Sequence, residues 1–298
     1  MARQDTHKKG GAMDGGSGRC LCGAVRFAFT GAPLWQNHCH CESCRRATAS
    51  GFTSFLSVPK ARVTWTGTAT TYASSLGVIR RFCGTCGTQM SYETAARPDD
   101  VDLYAATLDD PAQFAPEDHD HWNEHLPWII PGDGLPRLTA PRAMGPGEDF
   151  GPVLALIRDA FAYMDGIIDP PSSMHRLTVG DLARAAAEGE VWVITDDTVP
   201  VATMTLTFSP HRVYLGKLAV ADHLRGRGLA RGLVRVARQR ALDKGLPVVE
   251  LQTRVELTGN HRAFQAMGFA EAGRSAHEGF DRPTSILFRL AATPSTNP

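Results

Sequence analysis

Seven cysteines stand in the first third of this 298-residue chain, and none follows Cys86. They read Cys20-x-Cys22, Cys39-x-Cys41-x-x-Cys44 and Cys83-x-x-Cys86. Thiols separated by one or two residues can converge on a metal with little backbone strain. Zinc held by four thiolates is a closed structural site, whereas zinc held by three protein ligands keeps a position for water or substrate. Seven cysteines divide into one set of each kind. A metal joining Cys20 and Cys22 to Cys83 and Cys86 staples the first strand region to the last hairpin of a sheet. Cys39, Cys41 and Cys44 form a local three-thiolate cup. Spacing alone leaves open whether His38 or His40 closes that cup as a fourth ligand. Iron–sulfur clusters fit less well, because two would usually take eight cysteines. The odd count also argues against a disulfide framework.

A second chemical motif lies far downstream, at Arg225-Gly226-Arg227-Gly228-Leu229-Ala230. It follows an expected strand and opens an expected helix. Free amides at a helix N-terminus point at an anion, and glycines let the backbone approach it. A pyrophosphate is the natural guest, with Arg225 and Arg227 adding positive charge. Neither the Walker pattern nor the three-glycine dinucleotide pattern is present. The clustered His119, His121 and His125 read as capping or packing residues.

These motifs need elements to position them. Short strand-like runs fill the first part: Ala24–Thr30, Phe52–Val58, Arg62–Thr66, Val78–Phe82 and Val101–Thr107. No long helical period appears there, so a mostly β domain is expected over 18–137, after a disordered tail at 1–17. Pro- and Gly-rich sequence at 131–152 reads as a linker, bounded at 138–152. An α/β order then runs over 153–291. Helices are expected at Val153–Met164, after the Thr178/Asp181 capping box, at Leu229–Lys244 and at Asn260–Met267. Strands are expected at Glu190–Thr195, Val201–Phe208, Val213–Val220, Val248–Thr253 and Thr284–Leu290. Residues 292–298 read as a second disordered tail.

Composition limits the classes of function. The hydrophobic fraction of 43% suits two globular domains. Residues 1–140 carry 13 basic and 14 acidic groups, and the remainder 18 and 17. Neither half has the positive excess of a general nucleic-acid binder, which disfavours a zinc-ribbon reading. No stretch approaches the roughly 20 apolar residues of a membrane helix, and the start lacks a secretory pattern. A reducing cytoplasm is the expected setting, where close cysteines favour metal over disulfides.

Residues 19–137 resemble the glutathione-dependent formaldehyde-activating enzyme (GFA) family. The carriers are Arg19-Cys20-Leu21-Cys22-Gly23-Ala24-Val25, His38-Cys39-His40-Cys41-Glu42-Ser43-Cys44-Arg45-Arg46 and Phe82-Cys83-Gly84-Thr85-Cys86-Gly87. The resemblance implies two zinc ions, structural at Cys20, Cys22, Cys83 and Cys86 and catalytic at Cys39, Cys41 and Cys44. The activity it implies is carbon–sulfur lyase chemistry that joins formaldehyde to a thiol such as glutathione. The alternative is a non-catalytic zinc module that recruits substrates.

Residues 153–290 resemble the GNAT superfamily of N-acetyltransferases, through Leu215-Gly216-Lys217-Leu218-Ala219-Val220, the loop at 225–230 and Asn260-His261-Arg262-Ala263-Phe264-Gln265-Ala266-Met267-Gly268-Phe269. The resemblance implies acetyl-CoA as acyl donor and a small amine as acceptor. Backbone amides of Arg225, Gly226, Arg227, Gly228, Leu229 and Ala230 would hold the pyrophosphate. Leu218 and Val220 would pair with the pantetheine arm, and Asn260 would meet the cofactor near its other end. Phe264 stands where the family often has a proton-donating Tyr. Glu250 is the expected general base, with Glu256 second.

Overall fold

The computed structural model describes residues 13–293, which fall into two compact units meeting at Leu138 and Thr139 in the sequence. The outer parts of both expected tails, 1–12 and 294–298, lie outside the described residues.

The first unit is mostly β. Its strands are β1 (Gly15–Arg19), β2 (Arg26–Thr30), β3 (Trp35–Cys39), β4 (Thr53–Pro59), β5 (Val63–Thr66), β6 (Thr70–Ser75), β7 (Val78–Phe82), β8 (Gln89–Thr94), β9 (Arg97–Tyr104) and β10 (Asp118–Asp120). One helix, α1 (Glu42–Thr48), follows β3. The strands make a three-stranded sheet, β1-β2-β5, and a seven-stranded sheet, β10-β3-β4-β9-β8-β7-β6. Phe27 and Phe29 of β2 meet Leu56, Val58, Met90, Val101 and Leu103 of the larger sheet in one buried core. Alternation along the strands sends Phe55 and Tyr104 to the opposite face, where they pack with Cys39 and Cys44.

Residues 15–17, expected in the first tail, belong to β1, which pairs with β2 from Gly15↔Thr30 to Arg19↔Arg26. Met13 is buried in the core beside them. The glycine- and serine-rich sequence concealed this strand because its packing comes from the Phe27 and Phe29 rings of the neighbouring strand.

The second unit holds α2 (Gly151–Phe161), α3 (Val179–Glu188), α4 (Leu229–Asp243) and α5 (Thr258–Ala266) around β11 (Arg142–Met144), β12 (Glu190–Asp196), β13 (Val199–Ser209), β14 (Arg212–Val220), β15 (Val248–Arg254), β16 (Ala270–Ser275) and β17 (Ser285–Ala291). Their order in one sheet is β11-β12-β13-β14-β15-β17-β16. The Thr178–Asp181 capping box starts α3 as expected. Val153, Leu154 and Ile157 of α2 join Leu182, Val191 and Val193 in a buried core.

The expected linker is largely built into the fold. Leu138 N–H donates to His119 O at 2.8 Å in the first unit, and Thr139 N–H donates to Thr195 O at 2.9 Å in the second. Arg142–Met144 pairs with β12, and Phe150 is fully buried at the start of α2. Proline and glycine here shape short connections between hydrogen-bonded pieces.

Candidate functional site

The four cysteines far apart in sequence converge. Cys20 and Cys22 lie in the β1–β2 turn, Cys83 and Cys86 in the β7–β8 turn, and their sulfurs lie within 4.8 Å of one another. Tetrahedral thiolates at about 2.3 Å from zinc place sulfurs about 3.8 Å apart. The Cys20–Cys22 and Cys22–Cys83 separations of 3.5 and 3.7 Å fit that geometry. The cluster therefore ties the smaller sheet to the larger one; the β7–β8 turn it uses is not the last hairpin. Each turn is set by its own backbone: Cys20 N–H donates to Val25 O at 3.0 Å, and Gly87 N–H donates to Cys83 O at 2.8 Å. Val25 N–H donates to the Cys20 sulfur at 3.3 Å, a contact that favours the thiolate.

Cys39, Cys41 and Cys44 also converge within 4.8 Å. Cys39 ends β3, Cys41 caps α1 and Cys44 lies in its first turn. The Cys41 sulfur accepts the Cys44 N–H at 3.4 Å. Close approach of Cys39 and Cys44 holds the Cys41 thiol far below its ordinary value, while Cys41 and Cys44 push Cys39 up. Three thiols competing for protons in this way form a donor set suited to a soft divalent metal.

The histidines that could have closed the cup do not. His38 Nδ1 lies 2.9 Å from Ser54 Oγ. His40 Nε2 lies 2.9 Å from His119 Nδ1, whose other nitrogen faces Asp133 at 3.0 Å. Burial, then the neighbouring His119, lowers both His38 and His40 to about 4, so both are neutral.

The parallel β3–β10 pair sets Asp120 opposite Cys39. Asp120, His121 and Cys39 form a second group of potential ligands within 4.8 Å, although neither Asp120 nor His121 joins all three sulfurs in one such group among the described residues. His121 Nδ1 lies 3.0 Å from Asp120. Burial opposes charge on His121, but Asp120 outweighs it and raises the imidazole to about 9. His121 sits at φ 56°, ψ 40°, in the left-handed region that few non-glycine residues adopt. Its position beside the cup departs from the packing role expected of it. His119 and His125 keep such roles: the first is buried, and the second stacks on Trp122 at 4.1 Å. Arg45 donates to His40 O at 2.9 Å, and Arg46 pairs with Glu42 at 2.7 Å.

In the second unit, β14 and β15 run parallel but pair only at Val213↔Val249 and Tyr214↔Glu250. Beyond those residues they part. A cleft of about 970 Å³ opens between Leu215–Val220 on one wall and Leu251–Arg254 on the other. A bulge on β14 places two residues, Lys217 and Leu218, opposite one on β13, with Lys217 at φ 48°. Burial lowers the Lys217 ammonium.

Arg225 and Ala230 line the cleft, at the loop before α4. Gly226 and Gly228 take φ of 82° and 81°, and open space lies where their Cβ atoms would be. Gly228 occupies the N-cap without a side-chain hydrogen bond, and the first turn has no acid. Its unpartnered amides suit an anion. The Arg225 side chain is engaged elsewhere, donating to Ala160 O at 2.9 Å and pairing with Asp222 at 2.8 Å. Asn260 lines the cleft and donates to the Tyr163 hydroxyl at 3.0 Å.

Glu250 does not fit the role expected of it. Its carboxylate is 3% exposed, pairs with Arg212 and Arg289 at 2.9 Å each, and is absent from the cleft wall. Two guanidinium groups hold the charge that a base would have to give up. Glu256 is outside the wall as well, 3.8 Å from Arg282. The wall instead presents His277, whose Nδ1 lies 2.6 Å from Thr284 Oγ1, together with Tyr163 and Tyr214. The sequence reading left His277 and Tyr163 without roles.

Residues 16–124 match the model of the glutathione-dependent formaldehyde-activating enzyme family, and residues 157–269 match that of the acetyltransferase (GNAT) family. The chain thus joins a GFA domain to a GNAT domain. A curated protein of Schizosaccharomyces pombe, described as an uncharacterized lyase, is 35% identical over 75 residues. That match covers 25% of this chain and 55% of the relative, so the chain spans about half the length of the protein it matches. Among solved structures, the ribosomal-protein-S18-alanine N-acetyltransferase of Escherichia coli is 16% identical, with TM-score 0.39, over 52% of this chain and 94% of that one. An acetyltransferase of Streptococcus agalactiae is also 16% identical, with TM-score 0.41, over 51% and 98%.

Proposed function

We propose that the second unit is an acetyl-CoA-dependent N-acetyltransferase for a small amine, and that the first is a two-zinc domain performing carbon–sulfur chemistry on a thiol such as glutathione. The observation that carries the first half is the parting of β14 from β15 beside an uncapped helix N-terminus. The free edge of Leu218 and Val220 suits an extended pantetheine arm, and the amides from Arg225 to Ala230 suit a pyrophosphate. Asn260 meets the cofactor near its other end. The transfer forms a bond from the amine nitrogen to the acetyl carbon and breaks the bond from that carbon to sulfur.

The attacking amine must first lose a proton. We assign this to His277: with Nδ1–H donated to Thr284, its Nε2 is left as an acceptor. The leaving thiolate takes a proton from Tyr163, whose oxygen accepts from Asn260 and whose own hydrogen remains available, and the second proton shed by the attacking nitrogen restores the phenol. Tyr163 thereby does what Phe264 cannot. Gly228→Glu, which adds bulk and negative charge to the anion loop, should abolish acetyl-CoA binding by calorimetry. Unchanged affinity would refute the loop's role. His277→Gln should lower kcat by roughly a hundredfold with the binding of acetyl-CoA kept; an unaltered rate would remove the histidine from the mechanism.

For the first unit, the carrying observation is a cup of three cysteines separate from a cluster of four. A bound zinc would supply a Lewis acid for an aldehyde carbonyl or a site for a thiolate. Cys39, Cys41 and Cys44 would hold that ion, with Asp120 and His121 beside Cys39. Metal counting together with thiol–aldehyde turnover tests the assignment, with two zinc ions per chain expected. Two bound ions with no binding of small thiols would favour the recruiting-module alternative.

A further inference from the structure

Arg80 lies in β7, remote in sequence from the cysteine cup, and is 3% exposed. Its guanidinium spans three groups. Nη1 donates to the Tyr104 hydroxyl at 3.0 Å, and Nη2 donates to Ser43 Oγ at 2.9 Å and lies 3.7 Å from the Cys44 sulfur. The cation also faces the Tyr92 ring, 4.9 Å from its centroid. Among the described residues, no carboxylate lies within ion-pairing distance of it. The same sheet shows the usual arrangement at Arg97, whose half-buried guanidinium binds both oxygens of Asp102. A buried cation without an anion is costly, so Arg80 requires a negative partner that a carboxylate does not provide. Tyr104 is not that partner: burial pushes its hydroxyl up to about 12, and it stays neutral.

The remaining candidate is sulfur. Three thiolates around a divalent ion leave one net negative charge, which the Arg80 cation, 3.7 Å from the Cys44 sulfur, is placed to balance. We propose that Arg80 is the counter-charge of the three-cysteine cup: its buried guanidinium balances the excess charge of Cys39, Cys41 and Cys44 as thiolates on a divalent metal, and so sets the cup's affinity for that metal. The inference rests on reading the cup as a metal site. Arg80 touches a ligand sulfur and no reacting atom, which makes it a positioning and charge-balancing residue. Ser43 and Tyr104 hold the fork in place, and Cys44 is the sulfur it addresses. The arginine also leaves the fourth position fit for an incoming thiolate, because the loaded cup begins neutral.

The test is metal retention in the full chain, measured as zinc released during titration with a chelator. The wild type should hold two ions, with the cup ion leaving first. Arg80→Met should lose the cup ion at roughly tenfold to hundredfold lower chelator, the usual range for groups that support a ligand. The four-cysteine ion should be unaffected, which also reports that the unit has folded. Arg80→Gln provides a second neutral variant if methionine disrupts folding. Arg80→Lys should fall between wild type and Met, because it keeps charge but loses the fork. Wild-type retention in either neutral variant, or a Lys variant as weak as Met, would overturn the proposal. If the wild type holds one ion and Cys39→Ser still holds one, the metal reading of the cup fails and takes the proposal with it.

Discussion

The two cysteine clusters use the same donor atom in one small domain, yet their surroundings differ throughout. The four-cysteine cluster is made by two turns, with Cys20 and Cys83 buried in the sandwich core. Its sulfurs meet backbone amides and the Thr88 hydroxyl, which lies 3.2 Å from Cys86. The three-cysteine cup lies on the other face of the larger sheet, with Arg80, Asp120 and His121 close by. Four identical ligands leave nothing for a substrate to do. Three ligands bordered by charged groups leave both a position and the means to influence what enters it. Placement of ionisable side chains, as well as cysteine count, separates the two clusters.

The largest expected effect comes from breaking the fastening. Cys83→Ser should cost the first unit its cooperative melting transition and its metal, because structural zinc contributes folding energy outright. A normal transition would mean that the two sheets hold together without it. Cys39→Ser should act in the opposite sense: one of two ions and all thiol–aldehyde turnover are lost, while the melting temperature falls by only a few degrees. Collapse of the unit in this variant would erase the distinction between the clusters. The smallest change sharpens it. Thr88→Val removes a hydroxyl that accepts the Leu21 N–H at 3.1 Å, and should destabilise the unit by about 1 kcal/mol with turnover intact. Reduced turnover in that variant would show that the four-cysteine cluster influences the cup.

Much of this was legible in the sequence because the chemistry is local. The closely spaced cysteine groups, the capping box at Thr178 and the loop before α4 each fit within a few residues, and their elements stand close to the expected bounds. Strands with little apolar alternation escaped notice: β3 reads WQNHC, β6 TTYASS and β8 QMSYET. The edge strand β16 is exposed along its whole length. Glu250 was misread because its partners come from other strands: Arg289 is its antiparallel neighbour and Arg212 lies on β14. A signal for Arg80 was present. Arg80 and Arg81 are adjacent on a strand, and adjacent strand residues face opposite ways. Arg81 reaches Glu93 at 2.6 Å, which sends Arg80 inward. Asp120 and His121 gave no comparable signal, since only the parallel β3–β10 pairing brings them to Cys39.

The parting of β14 and β15 has a consequence for durability. An open seam in a sheet is a weak point until something fills it, and a guest that binds the folded form stabilises by mass action, by about 2.7 kcal/mol at a hundredfold excess over its dissociation constant. With acetyl-CoA as that guest, the second unit would be toughest in a well-fed cell and most vulnerable to proteolysis when acyl donor runs short. The lifetime of the protein would then follow the metabolic state that supplies its substrate.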